Sequence, residues 1–313
     1  MTGAPEGAGP GTGQGAAIVT IAAGPLTVEV APAIGGSIAA FHGSVAGRRM
    51  DWLRPVTATG LARGDPLSMA SFPLVPFCNR IRDGRFDFDG LGVHLPRNFA
   101  RSPHAIHGQA WQMPWTVEDA AAGRLALVLD HPPGAWPWRF RARQTFALDP
   151  DGLNIGLAVE NRGDRPMPLG FGHHPYFPRT PQASVTASVD AIWSTDAEVM
   201  PTLLERNEVV ERLGHGLPVA AWVLDNNFTG WDGRAEIRWP ERRAGLRLSA
   251  GEPFRFLVAY TPADEDLFVV EPVSNCTDWL NLRQLGPGSV GGTVLPAGGR
   301  IEGSIRLEPF VLG

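Results

Sequence analysis

Short runs that alternate polar and apolar residues extend along most of this chain, and they restrict its fold more than any other feature. Residues 140–146 read Phe-Arg-Ala-Arg-Gln-Thr-Phe, and residues 153–159 read Leu-Asn-Ile-Gly-Leu-Ala-Val. Successive side chains of a strand point to opposite faces, so a period of two is typical of an antiparallel sheet with one buried face. The sequence therefore predicts an all-β fold, built as a large antiparallel β-sandwich.

Similar runs recur from one end of the chain to the other, separated by segments that contain many of the 38 glycines and 29 prolines. Such residues mark the ends of strands. Helical periodicity is nearly absent, apart from a short helical turn predicted within residues 201–213. No linker or internal repeat divides the chain, so we expect a single β-sandwich domain over residues 17–313. The other predicted strands are residues 18–21, 26–30, 85–88, 125–129, 235–239, 246–248, 254–260 and 303–307.

The first 16 residues, MTGAPEGAGPGTGQGA, differ in composition from the rest of the chain. Glycine and proline disfavour both helices and strands, so residues 1–16 are predicted to form a flexible tail. This segment has neither the basic start nor the apolar stretch of a secretory signal. No apolar run reaches the roughly 18 residues of a membrane-spanning helix. We therefore expect a cytoplasmic protein with no membrane partner.

Charge and cysteine content argue against several functional classes. The formal net charge is −5 and the sequence pI is about 5.9, without a cluster of basic residues, so a nucleic-acid partner is not expected. Two cysteines are too few for a disulfide scaffold. The sequence contains no Gly-rich phosphate loop between a strand and a helix, so we expect no nucleotide cofactor. A monomer and a homodimer both remain open.

Two segments in the first half of the chain contain polar side chains that could bind a ligand. Asn79 and Arg80 lie between apolar residues and a turn, where a guanidinium can donate a fixed fork of hydrogen bonds to hydroxyls or a carboxylate. His107 precedes Gly108, and a glycine lets the backbone pass close to a ligand. Taken alone, each segment is also compatible with a purely structural role.

Three more segments add groups that can exchange protons or accept hydrogen bonds. His173 and His174 are adjacent, and imidazole exchanges protons near neutral pH. In an extended segment, only one of the two can face a given pocket. Glu271 lies in an apolar run, where a carboxylate is costly unless it is paired or protonated, and where burial raises its pKa. Asp225 follows another apolar run, although Asp-Asn-Asn is also ordinary turn chemistry.

The histidines could instead bind a metal ion. His104 and His107 are three residues apart, and His173, His174 or Glu271 could complete a ligand set. Neither a His-x-His nor a His-Glu-x-x-His spacing is present, however. We therefore expect no metal site.

Taken in order, these segments resemble the aldose 1-epimerase (mutarotase) family. The resemblance implies a galactose mutarotase-like supersandwich and an isomerase that interconverts the α and β anomers of a free aldose without a cofactor. The sugar would be its small-molecule partner, and residues 17–313 its catalytic domain. The matching segments are Asn79-Arg80-Ile81 with Gly84 and Phe86, His107-Gly108, His174-Pro175-Tyr176-Phe177, Asp225 with Phe228, and Glu271-Pro272.

The resemblance also implies catalytic roles for three residues. Glu271 would be the general base that takes the proton of the anomeric hydroxyl. His174 would be the general acid that protonates the ring oxygen. His107 would form a hydrogen bond near that oxygen and help to stabilise the open form. No covalent intermediate is needed, which agrees with the absence of a nucleophile motif.

Other matching residues are implied to bind the substrate. Arg80 and Asp225 would hold sugar hydroxyls, and Asn79 would support Arg80. His173 is the alternative to the matching histidine if the alignment is shifted by one residue.

Two alternatives stay open at this stage. The sequence departs from galactose-acting members of the family at two places, so the sugar is uncertain. These are Gln109-Ala110-Trp111 after the His-Gly pair, and Asn226 after the matching aspartate. A hexose 6-phosphate would need extra arginines, for which Arg97 and Arg101 are available. A carbohydrate-binding protein without activity is the second alternative, although binding alone does not require a base and an acid.

Overall fold

Antiparallel strands make up nearly half of the described residues and are the predominant secondary structure, as the alternating pattern predicts. The computed structural model describes residues 17–45 and 47–313, so the tail predicted for residues 1–16 lies outside the described residues. In the described part, no helix is long and apolar enough to cross a membrane. The strands in its first half are β1 Val19–Ala23, β2 Leu26–Ala31, β3 Ser37–Val45, β4 Arg48–Asp51, β5 Pro73–Leu74, β6 Arg80–Ile81, β7 Arg85–Phe88, β8 Leu91–His94, β9 Ala105–Ile106, β10 Thr116–Ala121, β11 Arg124–His131, β12 Phe140–Asp149 and β13 Gly152–Asn161.

The second half contains strands of two to twelve residues and three of the four α-helices that the structure describes. Its strands are β14 Met167–Leu169, β15 Gly172–His173, β16 Tyr176–Pro178, β17 Ser184–Ala187, β18 Ala191–Thr195, β19 Pro201–Glu205, β20 Leu217–Pro218, β21 Asp225–Thr229, β22 Arg234–Trp239, β23 Ala244–Ala250, β24 Phe256–Tyr260, β25 Leu267–Val273, β26 Thr293–Leu295 and β27 Arg300–Val311. The α-helices, among the described residues of the whole chain, are α1 Ala58–Arg63, α2 Glu208–His215, α3 Trp279–Leu282 and α4 Pro287–Val290.

The largest sheet has nine strands, in the order β10-β11-β12-β13-β27-β23-β22-β17-β20. In β13, Leu153, Ile155, Leu157 and Val159 are buried while the residues between them are partly exposed. This period of two buries one face of the sheet against the core and leaves the other in solvent. The strands predicted at residues 140–146 and 153–159 are thereby confirmed, and each is longer than predicted.

An eight-stranded sheet packs on the same core and carries most of the polar segments singled out above. Its order is β19-β18-β21-β24-β25-β15-β5, with β16 also paired to β25. Every residue of β25 is buried, so both faces of this strand are covered. The two sheets share one large cluster of buried apolar side chains, which confirms the predicted all-β sandwich.

The short helical turn predicted within residues 201–213 is confirmed only in its second half. Residues Pro201–Glu205 form edge strand β19, and α2 begins at Glu208. The side chain of Asn207 accepts a hydrogen bond from the backbone N–H of Val209 and caps this helix. An asparagine at this position satisfies a backbone donor that the first turn leaves free, which explains why the helix begins there.

Candidate active site

A cavity of about 300 Å³ brings together residues from six distant parts of the chain. Its size is at the lower end of the range for small-molecule sites. Side chains from β6, β9, β16, β21, β24 and β25 and from the loops between strands form its wall. The lining residues are Leu67, Asn79, Arg80, Phe99, Arg101, Ile106, His107, Trp111, His174, Tyr176, Asp225, Tyr260, Glu265, Leu267 and Glu271.

Glu271 enters the cavity from the buried strand β25. Its Cα lies opposite that of Val258 on β24, and only 2% of its surface is exposed. Its Oε2 accepts no hydrogen bond from any residue that the structure describes. Burial raises the pKa of the Glu271 carboxyl well above its ordinary value, and the negative charge of Asp225 raises it further, while Arg80 opposes the shift.

His174 lies directly beside this carboxyl. Its Nε2 is 3.3 Å from Oε1 of Glu271. The imidazole stacks on Phe72 with ring centroids 4.7 Å apart, and its backbone N–H donates to the Phe72 carbonyl at 3.0 Å. Burial lowers the pKa of His174 to about 3, and the positive charges of Arg54 and Arg80 act in the same direction. The free ring is therefore neutral at neutral pH.

The two shifts raise the proton affinity of Glu271 and lower that of its neighbour His174. Both shifts favour the uncharged form of each group, because burial disfavours charge. At this separation the two groups titrate as a unit. A pair that holds one proton can accept a proton at one atom while it donates a proton at the other.

His107 presents a defined tautomer next to His174. Its Nδ1 accepts a hydrogen bond from the backbone N–H of Asn79 at 3.1 Å, so the proton of the neutral ring is on Nε2. Burial lowers its pKa well below the ordinary value, with His174 and Arg80 nearby adding to the shift. The two imidazole rings meet edge to face at 5.1 Å.

The backbone around His107 is held in an unusual conformation. His107 has φ = 60°, and the following Gly108 has φ = 70°. A Cβ at Gly108 would lie 2.0 Å from the carbonyl oxygen of Val75, so this position requires glycine. The side chain of Asn98 bonds the backbone of Ile106 and Gly108 on either side of the histidine. These contacts keep a non-glycine residue in the left-handed region, which otherwise costs ~1–3 kcal/mol.

Arg80 and Asp225 form an ion pair on the cavity wall. Arg80 Nη2 donates to Asp225 Oδ2 at 3.0 Å, and Arg80 Nη1 donates to Asn79 Oδ1 at 2.9 Å. Asn79 has φ = 58°, and its side chain also accepts from the backbone N–H of Arg80. The cavity thus presents a fixed guanidinium and a carboxylate, a combination that suits a ligand with several hydroxyl groups.

Comparison with known proteins identifies the family of this chain. The family model for aldose 1-epimerase matches residues 18–307. The chain belongs to the aldose 1-epimerase family. The resemblance inferred from the motifs is therefore confirmed.

Relatives of this aldose 1-epimerase family member include proteins of bacteria and mammals. It is 30% identical over 239 residues to the uncharacterized protein YphB of Escherichia coli (strain K12), covering 72% of this chain and 79% of YphB. It is 28% identical over 135 residues to galactose mutarotase of Rattus norvegicus, covering 40% of this chain and 38% of that protein. A crystal structure of a candidate aldose 1-epimerase from Escherichia coli K12 has a TM-score of 0.84 and 27% identity, covering 95% and 99% of the two chains.

Not every predicted residue of this aldose 1-epimerase family member lies on the cavity wall. His173 is buried on the opposite side of its segment, where its Nδ1 lies 3.4 Å from Ser71 Oγ. Arg97 donates to backbone carbonyls of its own loop and does not line the cavity, whereas Arg101 does. His104 accepts a hydrogen bond from the backbone of Asp83, away from the cavity. Among the described residues, no group of three or more His, Cys, Asp or Glu is arranged to hold a metal ion.

The sequence reasoning missed two polar residues of the wall. Tyr260 ends β24, and its Cα pairs with that of Asp225. Glu265 lies in the loop that follows, and its Oε1 is 3.9 Å from Nη1 of Arg101. The chain has only two tyrosines, Tyr176 and Tyr260, and both line the cavity. The low number of tyrosines was thus the sequence feature that could have indicated Tyr260 as a residue of the cavity wall.

Proposed function

We propose that this protein is an aldose 1-epimerase that interconverts the α and β anomers of a free aldose. The observation that carries the proposal is the 3.3 Å approach of His174 Nε2 to Glu271 Oε1 in a cavity. Mutarotation requires a base at the anomeric hydroxyl and an acid at the ring oxygen. Both oxygens are attached to the same carbon, so the two catalytic groups must lie side by side, as Glu271 and His174 do.

In the proposed mechanism, Glu271 takes the proton of the anomeric hydroxyl while His174 gives a proton to the ring oxygen. The C–O bond of the ring breaks, and the anomeric carbon becomes an aldehyde. Rotation about the adjacent C–C bond presents its other face, and the two groups reverse their roles when the ring closes. The step starts from the ionised form of the pair, with the proton on His174 and the negative charge on Glu271, and hydrogen bonds from the substrate hydroxyls would stabilise that form. The reaction breaks and re-forms one C–O bond, with proton transfers but no net oxidation or reduction, and so requires no cofactor.

The remaining polar residues would hold the sugar and the developing charge. The proton on Nε2 makes His107 a donor that can stabilise negative charge on an oxygen of the open form. Arg80 and Asp225 would exchange part of their mutual contact for bonds to ring hydroxyls. The partly exposed ring of Phe99 in the wall can cover the apolar face of a sugar.

The charges around the cavity favour a neutral sugar over a sugar phosphate. Three acidic residues, Asp225, Glu265 and Glu271, line the cavity with two arginines, Arg80 and Arg101. Each arginine already faces one of the acids, Arg80 at 3.0 Å from Asp225 and Arg101 at 3.9 Å from Glu265. A phosphate group needs arginines whose donors are free to form charge-assisted bonds. A free aldose is therefore the better substrate.

Polarimetry of freshly dissolved α-glucose and α-galactose tests this proposal. The wild-type protein should accelerate the decay of optical rotation. Glu271→Gln and His174→Asn should each lower kcat by ~10²–10⁴, because each removes one proton-transfer group. Glu236→Gln and His131→Asn are matched controls outside the cavity, and they should retain activity.

Two results would contradict the proposal. Saturable sugar binding by calorimetry without any rate acceleration would indicate a carbohydrate-binding protein. A higher kcat/KM for glucose 6-phosphate than for glucose in the same assay would indicate a sugar phosphate as the substrate.

A further inference from the structure

Asn275 is a fully buried amide that lies four residues after Glu271. Its Oδ1 accepts from the backbone N–H of Cys78 at 3.2 Å, and its Nδ2 donates to the Cys78 carbonyl at 3.2 Å. A third bond runs from Nδ2 to the carbonyl of Cys276 at 2.8 Å. The side chain thus bonds both backbone groups of Cys78, as a neighbouring strand would.

The backbone that Asn275 holds carries two of the proposed substrate contacts. Cys78 is followed directly by Asn79 and Arg80. The backbone N–H of Asn79 donates to Nδ1 of His107, and the backbone N–H of His107 donates to the Asn79 carbonyl. A shift of Cys78 therefore moves Arg80 and the hydrogen bond that fixes the His107 tautomer.

The surrounding backbone is shaped to accept this amide. A Cβ at Gly170 would lie 1.9 Å from Oδ1 of Asn275, so the glycine leaves the room that the amide occupies. The residues after Asn275 continue the connection, because the backbone N–H of Asp278 donates to the Arg80 carbonyl at 2.8 Å. The same segment is joined to β21, since Thr277 donates to the side chain of Asn227 at 2.6 Å.

We infer that Asn275 is a positioning residue, which sets the place of Arg80 and His107 relative to Glu271. It touches neither the cavity nor a reacting atom, and it acts through the backbone of Cys78. The consequence for catalysis rests on the proposed epimerase function, whereas the consequence for the His107 ring does not.

The test compares Asn275→Ala with Asn161→Ala. Asn161 is also fully buried, and its amide donates to the carbonyls of Arg165, Leu295 and Pro296, away from the cavity wall. Asn275→Ala should lower kcat/KM for aldose mutarotation by ~10²-fold, as expected when catalytic groups are displaced by about 1 Å. Asn161→Ala should leave kcat/KM unchanged at temperatures well below its unfolding transition.

Nitrogen-15 NMR of the histidine rings gives a readout that does not depend on activity. The wild-type protein should show one His107 tautomer, protonated on Nε2, with its signals assigned by their loss in His107→Gln. Asn275→Ala should show a mixture of tautomers, and Asn161→Ala should show the wild-type pattern. If wild-type protein lacks mutarotase activity, the proposed function fails, and these spectra still decide the role of Asn275.

A milder variant covers the case in which Asn275→Ala does not fold. In Asn275→Ser the hydroxyl is too short to reach the backbone of Cys78, and the same change in the His107 signals is expected. Wild-type His107 signals in a folded Asn275 variant would overturn the inference. An equal change in Asn161→Ala would also overturn it, because the effect would then follow from destabilisation alone.

Discussion

At the scale of single residues, the proton held by Glu271 and His174 makes the pH dependence of the proposed activity predictable. The active pair holds one proton. It gains a second proton only near the lowered pKa of His174, about 3, and it loses its proton at the raised pKa of Glu271. Because kcat/KM reports the groups of the free enzyme, it should stay on a plateau below pH 6.5, where an ordinary histidine becomes charged. A fall of kcat/KM as the pH decreases through 6.5 would contradict this assignment.

Two substitutions should move the alkaline limit of this plateau in opposite directions. The negative charge of Asp225 raises the pKa of Glu271, so Asp225→Asn should shift the alkaline limit of kcat/KM to lower pH. The positive charge of Arg80 lowers that pKa, so Arg80→Gln should shift the limit to higher pH. Both variants should bind sugar less well, so the measurement is the position of the limit and not the height of the plateau. If both variants shift the alkaline limit in the same direction, ionisation of Glu271 does not set that limit.

The site residues that the sequence revealed are those whose local setting was unusual. Glu271 could be predicted because a carboxylate in an apolar strand is costly. Glu265 could not, because it lies among other acidic residues in residues 264–266, where a carboxylate is ordinary. His173 could not be separated from His174 by composition, because only the direction of the chain at β15 decides which ring faces the cavity.

At the scale of secondary-structure elements, the contact between β15 and β25 positions His174. Gly172 pairs with Val273, and a Cβ at Gly172 would lie 2.5 Å from the carbonyl oxygen of Pro272. Gly172→Ala should therefore push the two strands apart, lower the midpoint of thermal unfolding and reduce kcat for mutarotation, because His174 follows two residues later.

Gly214→Ala is the matched control for this prediction. Gly214 lies in α2, and nothing lies within 4 Å of the position of an added Cβ. Alanine should stabilise the helix by ~0.5–1 kcal/mol and leave activity unchanged. If Gly172→Ala has the same midpoint of thermal unfolding and the same kcat as the wild-type protein, β15 does not position His174.

The long strands could be predicted, but the short strands of the site could not. Strands β12 and β13 have ten residues each, enough to show the period of two clearly. Strands β6, β9 and β15 have two residues each, too few for any periodicity. Their pairing depends on contacts between distant segments, such as that of Arg80 with Ile106, which no local pattern encodes.

At the scale of the whole molecule, three buried histidines impose a cost on stability that should depend on pH. Burial lowers the pKa of His173 and of His174 to about 3 each, and the pKa of His107 also lies well below its ordinary value. Below pH 6.5 these rings become protonated in the unfolded chain but stay neutral in the folded chain. The free energy of unfolding should therefore fall as the pH decreases from about 6.5 toward about 3.

His173 allows this effect to be measured without changing the cavity wall, because its ring does not line the cavity. Relative to the wild-type protein, His173→Leu should gain about 2 kcal/mol of unfolding free energy between pH 7 and pH 5, since one pKa unit corresponds to 1.36 kcal/mol. Urea unfolding at both pH values measures the gain. His173→Asn should have a different stability at pH 7 but the same gain, because it also lacks the titrating ring. A difference from the wild-type protein that stays constant with pH would mean that folded and unfolded chains protonate His173 equally.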